Sequence, residues 1–347
     1  MVALETRKGK HFCLHGIAVE LRGNRVDRVA GDFDFYTGRA ITGKEKYRVM
    51  LELGPASAVK LPAVAAERVF SDCVLYREGE KLFYEYSGGA VLEVERGKTF
   101  SRGRLSSDNT DLADEIAYLY LQSEIGRFLD AQGLHRVHAL GIGLPSGKAA
   151  LVLLPSGGGK STLALELLQQ EGCVLLSDDS PLVDRVGRVY PYLLRLSFRP
   201  DAKLPAAWKE NSLPFERRKH GPKILVSPAS LSSAALPRPE DRFAPGFLVI
   251  GSRHGALAEP RLVKRAKWQS ALPLFRDLVV GLGVPQVAEL LLTKGILSLP
   301  GLAPTGVSRL AAASAFLARA HTFELELSRD PVRNARFLIE TLEANAR

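Results

Sequence analysis

Cysteine is scarce in this chain of 347 residues. Cys13, Cys73 and Cys173 are scattered with no CxxC pair, which excludes a disulfide framework and offers no zinc-ligand spacing. Long apolar runs are missing too. The opening MVALETRKGKHFCLHG lacks the apolar core of a signal peptide. The most apolar later region, residues 271–302, is broken by Pro273, Arg276, Asp277, Pro285, Glu289 and Lys294, too many interruptions for a bilayer span. Repeats and low-complexity tracts are absent as well. These absences predict a soluble protein of the reducing cytoplasm with no membrane partner.

What is present suits a folded enzyme-sized chain. Hydrophobic residues at 46% and charged residues at 24% match an ordinary globular core and surface. The length allows two or three modest domains, or one large one with an appendage. The net charge of +9 is unevenly spread, because residues 195–270 hold fifteen Lys/Arg against six Asp/Glu and the rest of the chain balances at 32 of each. Such a segment suits phosphate groups or an acidic substrate. A nucleic-acid surface is disfavoured, since no aromatic-interleaved motif, helix-turn-helix signature or zinc finger accompanies it.

Short alternating runs at residues 16–21, 74–77, 81–86 and 90–94, separated by turn signals, predict a β-rich N-terminal module over residues 1–108. Glu52-Leu53-Gly54-Pro55 is expected as a chain reversal, and the aromatic run 33–36 as packing. A helix is expected from Asn109 or Thr110 to Gly133, opening a second domain over residues 109–347. There, residues 137–142 and 149–154 read as a hairpin, 173–176 as a strand, and 247–250 as a buried strand. Residues 308–320 and 331–342 read as helices flanking a strand at 322–327. Residues 200–245, rich in Pro, Ser and basic side chains, are expected to be mostly loop.

The chemistry concentrates in LVLLPSGGGKSTLALELL, residues 151–168. An apolar strand meets a glycine turn, then Lys-Ser-Thr, then a helical pattern expected to end at Gly172. That is the setting in which backbone N–H groups cradle phosphates, Lys160 reaches the terminal phosphates and Ser161 ligates the accompanying magnesium. Ser156, Gly157, Gly158, Gly159, Lys160, Ser161 and Thr162 are therefore the candidate nucleotide-binding residues, with ATP and Mg²⁺ as cofactors. The usual first glycine of the motif is replaced by Leu154, which predicts a differently shaped entrance. The next strand delivers Asp178-Asp179. If it runs alongside the strand feeding the loop, the pair lies near the phosphates, where two carboxylates could divide metal binding and activation of the attacking oxygen.

His138, PSGGGKSTLALELL, Gly172 and LLSDDSPLV together resemble the bacterial HPr kinase/phosphorylase family and its related kinases, over residues 134–183. The resemblance implies a mixed-sheet α/β kinase domain akin to phosphoenolpyruvate carboxykinase, with a His on the strand preceding the loop. It implies Lys160 on the β/γ-phosphates, Ser161 on Mg²⁺, Asp178 as general base and Asp179 supporting the metal or the proton transfer, although the two aspartates can exchange roles. His138 matches an active-region His of the family; His135 receives a structural reading only. Arg195, Arg199, Arg217, Arg218, Lys219 and Lys223 are candidates for stabilising transferred phosphoryl charge, with Arg195 and Lys223 preferred.

Departures mark a divergent member. VGRVYPYLLRLSFRP replaces the family's glycine-rich signature and supplies no Glu ligand, and Thr162 stands where Glu is usual. The expectation is an ATP-dependent kinase acting on a hydroxyl, chiefly serine of a protein or peptide. A small-metabolite kinase and a catalytically inactive nucleotide-binding regulator are the alternatives. Relatives tend to form homo-oligomers, although the helix at 308–320 could equally pack within one chain.

Overall fold

Alternation of apolar and polar side chains drives the first hundred residues into strands, each burying one face. The computed structural model describes residues 9–23, 25–155, 157–217, 221–252, 257–280 and 299–346. It is a mixed α/β structure built on several sheets. Contacts divide it into two compact units, Met1–Phe128 with Phe215–Gly221, and Leu129–Pro214 with Pro222–Arg347. Among the described residues no helix is long and apolar enough to cross a membrane; residues 281–298 of the apolar 271–302 region lie outside them.

The first unit contains β1 (Gly9–Leu14), β2 (Ile17–Gly23), β3 (Tyr47–Gly54), β4 (Ala66–Val69), β5 (Cys73–Glu78), β6 (Lys81–Tyr86), β7 (Ala90–Arg96) and β8 (Phe100–Ser106). They form one sheet in the order β1-β2-β3-β8-β7-β6-β5-β4. β3 pairs in parallel with both β2 and β8. Parallel pairing needs a long crossover, which carries α1 (Val26–Ala30) and a 3-10 turn, Gly31–Tyr36, whose Phe33 and Tyr36 are fully buried. The expected reversal at Glu52-Leu53-Gly54-Pro55 is corrected: Glu52, Leu53 and Gly54 lie in β3 and pair with Arg104, Leu105 and Ser106. Pairing on both sides keeps the chain extended to the end of the ladder.

α2 (Thr110–Gln132) begins where expected, with Asn109 Oδ1 accepting from the Leu112 amide at 3.2 Å. Its Tyr120 hydroxyl lies 2.9 Å from Ser101 Oγ and donates to the Met50 carbonyl at 3.1 Å. Buried Glu124 receives Arg96 and Arg127 at 2.6 and 3.0 Å. These bonds tie most of α2 to the first sheet, and the first unit accordingly extends through Phe128.

The second unit is built on β10 (Leu140–Gly143), β11 (Lys148–Leu153), β12 (Val174–Ser177), β18 (Ala244–Ser252), β19 (Arg261–Lys264) and β20 (His321–Glu326), in the order β12-β10-β11-β18-β20-β19. β9 (Leu134–Arg136), β13 (Leu182–Asp184) and β14 (Val189–Tyr190) form a small sheet. β15 (Leu196–Phe198), β16 (Ser212–Arg217) and β17 (Gly221–Val226) form another, in the order β15-β17-β16, of which residues 215–221 are grouped with the first unit. With α4 (Ala206–Glu210), β16 and β17 interrupt residues 200–245, expected to be mostly loop. Two of the prolines there stand at element starts, Pro205 ahead of α4 and Pro228 opening a 3-10 turn.

The remaining helices are α3 (Lys160–Leu167), α5 (Lys267–Phe275), α6 (Leu299–Arg319) and α7 (Pro331–Ala344). α3 stops at Leu167, short of the expected Gly172. The core of this unit joins Leu151 and Leu153 of β11, Leu248 of β18, Leu274 of α5 and Phe316 of α6, all at most 3% exposed. Below it, His135 is fully buried, with Nδ1 2.8 Å from Asp130 and Nε2 2.7 Å from Ser308. Arg309 takes both oxygens of Asp130 at 3.1 and 2.7 Å. The charge is thus satisfied from within, and the network ties β9, α2 and α6 together.

Candidate functional site

Strand directions decide which chain segments meet. β10 is antiparallel to β11, with Leu140 opposite Val152, and antiparallel to β12, with Gly141 opposite Ser177. The end of β11, the start of β10 and the end of β12 therefore share one sheet edge. The strand carrying Asp178-Asp179 pairs with β10 and not with β11 itself, so one strand intervenes between the loop and the aspartates. His138 belongs to the bend before β10, and not to a strand. Both differences bring groups together, because β10 inserts its N-terminal end between the loop and the Asp pair.

Gly157 and Gly159 hold φ of 73° and 98°, a left-handed conformation that side chains with a Cβ rarely adopt. Gly159 caps α3, and its carbonyl receives the Leu163 amide at 2.8 Å. Lys160 opens the helix, with Ser161 half-buried and Thr162 exposed behind it. Ser156 lies outside the described residues. Leu154, in the motif's first glycine position, is 4% exposed and sits over β18, where a Cβ on Gly251 would come within 2.3 Å of Leu154 Cδ2. The absent glycine is thus balanced by one on the neighbouring strand.

Lys160 Nζ is 2.7 Å from His138 Nε2 and 3.6 Å from Asp179 Oδ1. An ammonium can only donate, so Nε2 of His138 accepts and its proton resides on Nδ1. Nδ1 faces Asp179 Oδ1 at 3.1 Å, a close polar contact whose alignment falls short of a hydrogen bond. Burial pushes the Lys160 ammonium below its ordinary value, and the charges of Asp179, Asp178 and Asp277 only partly offset this. For Asp179 burial acts upward, but His138 and Lys160 outweigh it and hold the carboxyl below its ordinary value. The Asp179 side chain is 53% exposed, so water screens these interactions.

The Asp-Asp turn is fixed by its own neighbours. Buried Ser177 accepts the Asp179 and Ser180 amides on Oγ at 3.3 and 2.9 Å. The Asp179 carbonyl receives the Ala139 amide at 3.1 Å, locking the turn to the His138 bend. Asp277 joins the site from a distant segment. It is 3% exposed, its carboxylate is held by Arg276 at 2.7 and 3.0 Å, and its carbonyl accepts the His138 amide at 3.1 Å. No motif marks it, since it reaches the edge through the π-helical turn Arg276–Val280 that follows α5.

Lys160, His138 and Asp179 are thus brought together, with Asp178 close enough for its charge to act on Lys160. Arg195 is half-buried at the entry to β15, and the three contacts of this cluster do not include it. Lys223 lies in β17, Arg199 pairs with Asp201 at 3.0 Å, and Arg218 and Lys219 lie outside the described residues. Among the described residues, no group of three or more His, Cys, Asp or Glu could hold a metal by itself. Magnesium at a phosphate loop is held mostly by phosphate and water, with one or two protein oxygens. Ser161 and the Asp pair offer oxygens of that kind.

No family model matches the chain, and no curated protein matches it.

Proposed function

We propose that the chain is an ATP-dependent kinase that transfers the γ-phosphate to a hydroxyl, with serine of a protein or peptide as acceptor, in a kinase domain of the HPr kinase/phosphoenolpyruvate carboxykinase type. The observation that carries this reading is the cluster of Lys160, His138 and Asp179 at the sheet edge where the glycine loop opens. A loop alone suggests nucleotide binding. A loop facing ionised carboxylates supplies what phosphoryl transfer also needs, a group that orients or deprotonates the attacking oxygen.

In this reading the amides at the start of α3 and Lys160 bind the phosphates, and Ser161 with Asp179 holds Mg²⁺, which neutralises developing phosphate charge when bound. Asp178 accepts the acceptor's hydroxyl proton. His138 keeps Lys160 and Asp179 in register before the nucleotide arrives, and phosphate oxygens then replace it as partner of Nζ. Transfer from labelled ATP to a serine-peptide library, read by mass spectrometry, is the test. Lys160→Ala should abolish transfer and weaken ATP binding, whereas Asp178→Asn should bind ATP normally and lose at least a hundredfold in turnover, the scale of general-base catalysis. Full turnover in Asp178→Asn would remove it from the mechanism, and transfer to free metabolites but not to peptides would change the acceptor class.

A further inference from the structure

The edge that carries the glycine loop has a second flank, away from the Asp pair. β18 runs parallel to β11, with Ile250 beside Leu153, and β20 runs parallel to β18, with Glu326 beside Ser252. The chain therefore leaves β20 at the same edge as the loop. Leu327 closes against it, since a Cβ on Gly159 would lie 3.9 Å from Leu327 Cδ1. The turn that follows is rigidly held. Buried Asn334 accepts the Ser328 amide and hydroxyl, both at 2.9 Å, and donates to the Ser328 carbonyl at 3.1 Å. Asp330 caps α7 by accepting the Val332 and Arg333 amides at 3.0 and 3.2 Å. α7 in turn packs on α3, the helix the loop feeds. Burial, and after it the charge of Asp330, raises the Glu166 carboxyl on α3.

Arg329 is exposed within this clamped turn, two residues beyond Leu327. Two extended residues cover about 6–7 Å, a gap that the reach of an arginine side chain matches. We propose that Arg329 binds phosphate oxygens of the nucleotide cradled at Gly157–Lys160, from the flank opposite Asp178-Asp179. The inference rests on the nucleotide reading and adds a cation that lies outside the basic segment 195–270. A guanidinium stays charged at any working pH and can fork onto two phosphate oxygens. Its turn is ordered beforehand, which lowers the entropy lost on binding.

Calorimetric titration of the full chain with Mg·ATP and with Mg·tripolyphosphate tests this. Arg329→Gln should weaken both by about tenfold, the scale of one charged hydrogen bond, and Arg329→Lys should lose less. Thermal unfolding without nucleotide should shift by no more than a few degrees in either variant, the scale of one exposed side-chain interaction. Wild-type affinity in Arg329→Gln would overturn the inference and leave the nucleotide reading standing. So would loss of ATP affinity with tripolyphosphate unaffected, which would move the contact to the nucleoside, or a binding loss matched by a lower unfolding temperature. A wild-type chain that binds neither probe would overturn the nucleotide reading and this inference with it.

Discussion

Asp179 shows how one exposed carboxylate can be governed by its neighbours. His138 and Lys160 hold its carboxyl below the ordinary value of 3.8. The linkage sign follows: its contribution to stability is complete above the unfolded-state pKa and is lost as pH falls through the lower folded-state value. The stability gap between wild type and Asp179→Asn should thus be widest above about pH 4 and narrow as pH falls below that. Carboxyl NMR titration should show the Asp179 pKa moving up in His138→Ala, and no movement would remove His138 as its partner. Leu154 illustrates packing at the same scale. Gly251→Ala would drive a methyl group into Leu154, and overpacking of this kind costs about 1–3 kcal/mol. Urea unfolding should show that loss, and in a Leu154→Ala background, where the clashing side chain is gone, Gly251→Ala should cost little.

Whole elements are joined by buried charge, and burial decides what each pair is worth. Arg309 and Asp130 are 7% and 13% exposed in their side chains and link α6 to the end of α2. Burial would raise the Asp130 carboxyl, but His135 and Arg309 outweigh it and keep it ionised. Arg309→Ala would strand that carboxylate and should cost about 3–5 kcal/mol in chemical unfolding. Arg199, 77% exposed beside Asp201, is the contrast; its alanine variant should stay within about 0.5 kcal/mol of wild type. A small loss in Arg309→Ala would show that His135 alone can hold Asp130. Strands and helices with strong local periodicity, such as β6 and α2, were legible in the sequence. β3 was not, because its extended end is imposed by parallel neighbours at Ile17–Gly23 and Phe100–Ser106.

Across the whole molecule, every residue of the Lys160 cluster and the Arg329 turn belongs to the second unit, whereas Glu124 with Arg96 and Arg127 belongs to the first. Glu124→Ala should destabilise the first unit by about 1–3 kcal/mol, since its two arginines retain access to water. ATP affinity should be unchanged while the chain stays folded. An equal loss of affinity in titration would show that the two units are energetically coupled.

The sequence by itself determined the local pieces: a strand–glycine–helix loop at residues 151–168, an Asp pair after the next strand, and a β-rich start. Each depends on residues within a turn or two of one another, so spacing and φ preference suffice. Only the tertiary structure decided what those pieces face. The insertion of β10 between β11 and β12 sets His138 between Lys160 and Asp179. The return of the chain through α5 brings Asp277 to the His138 amide, and parallel β20 carries Leu327 to Gly159 on the loop's other side. The last two meetings join residues more than a hundred positions apart, and strand order and direction fix all of them where no local pattern can.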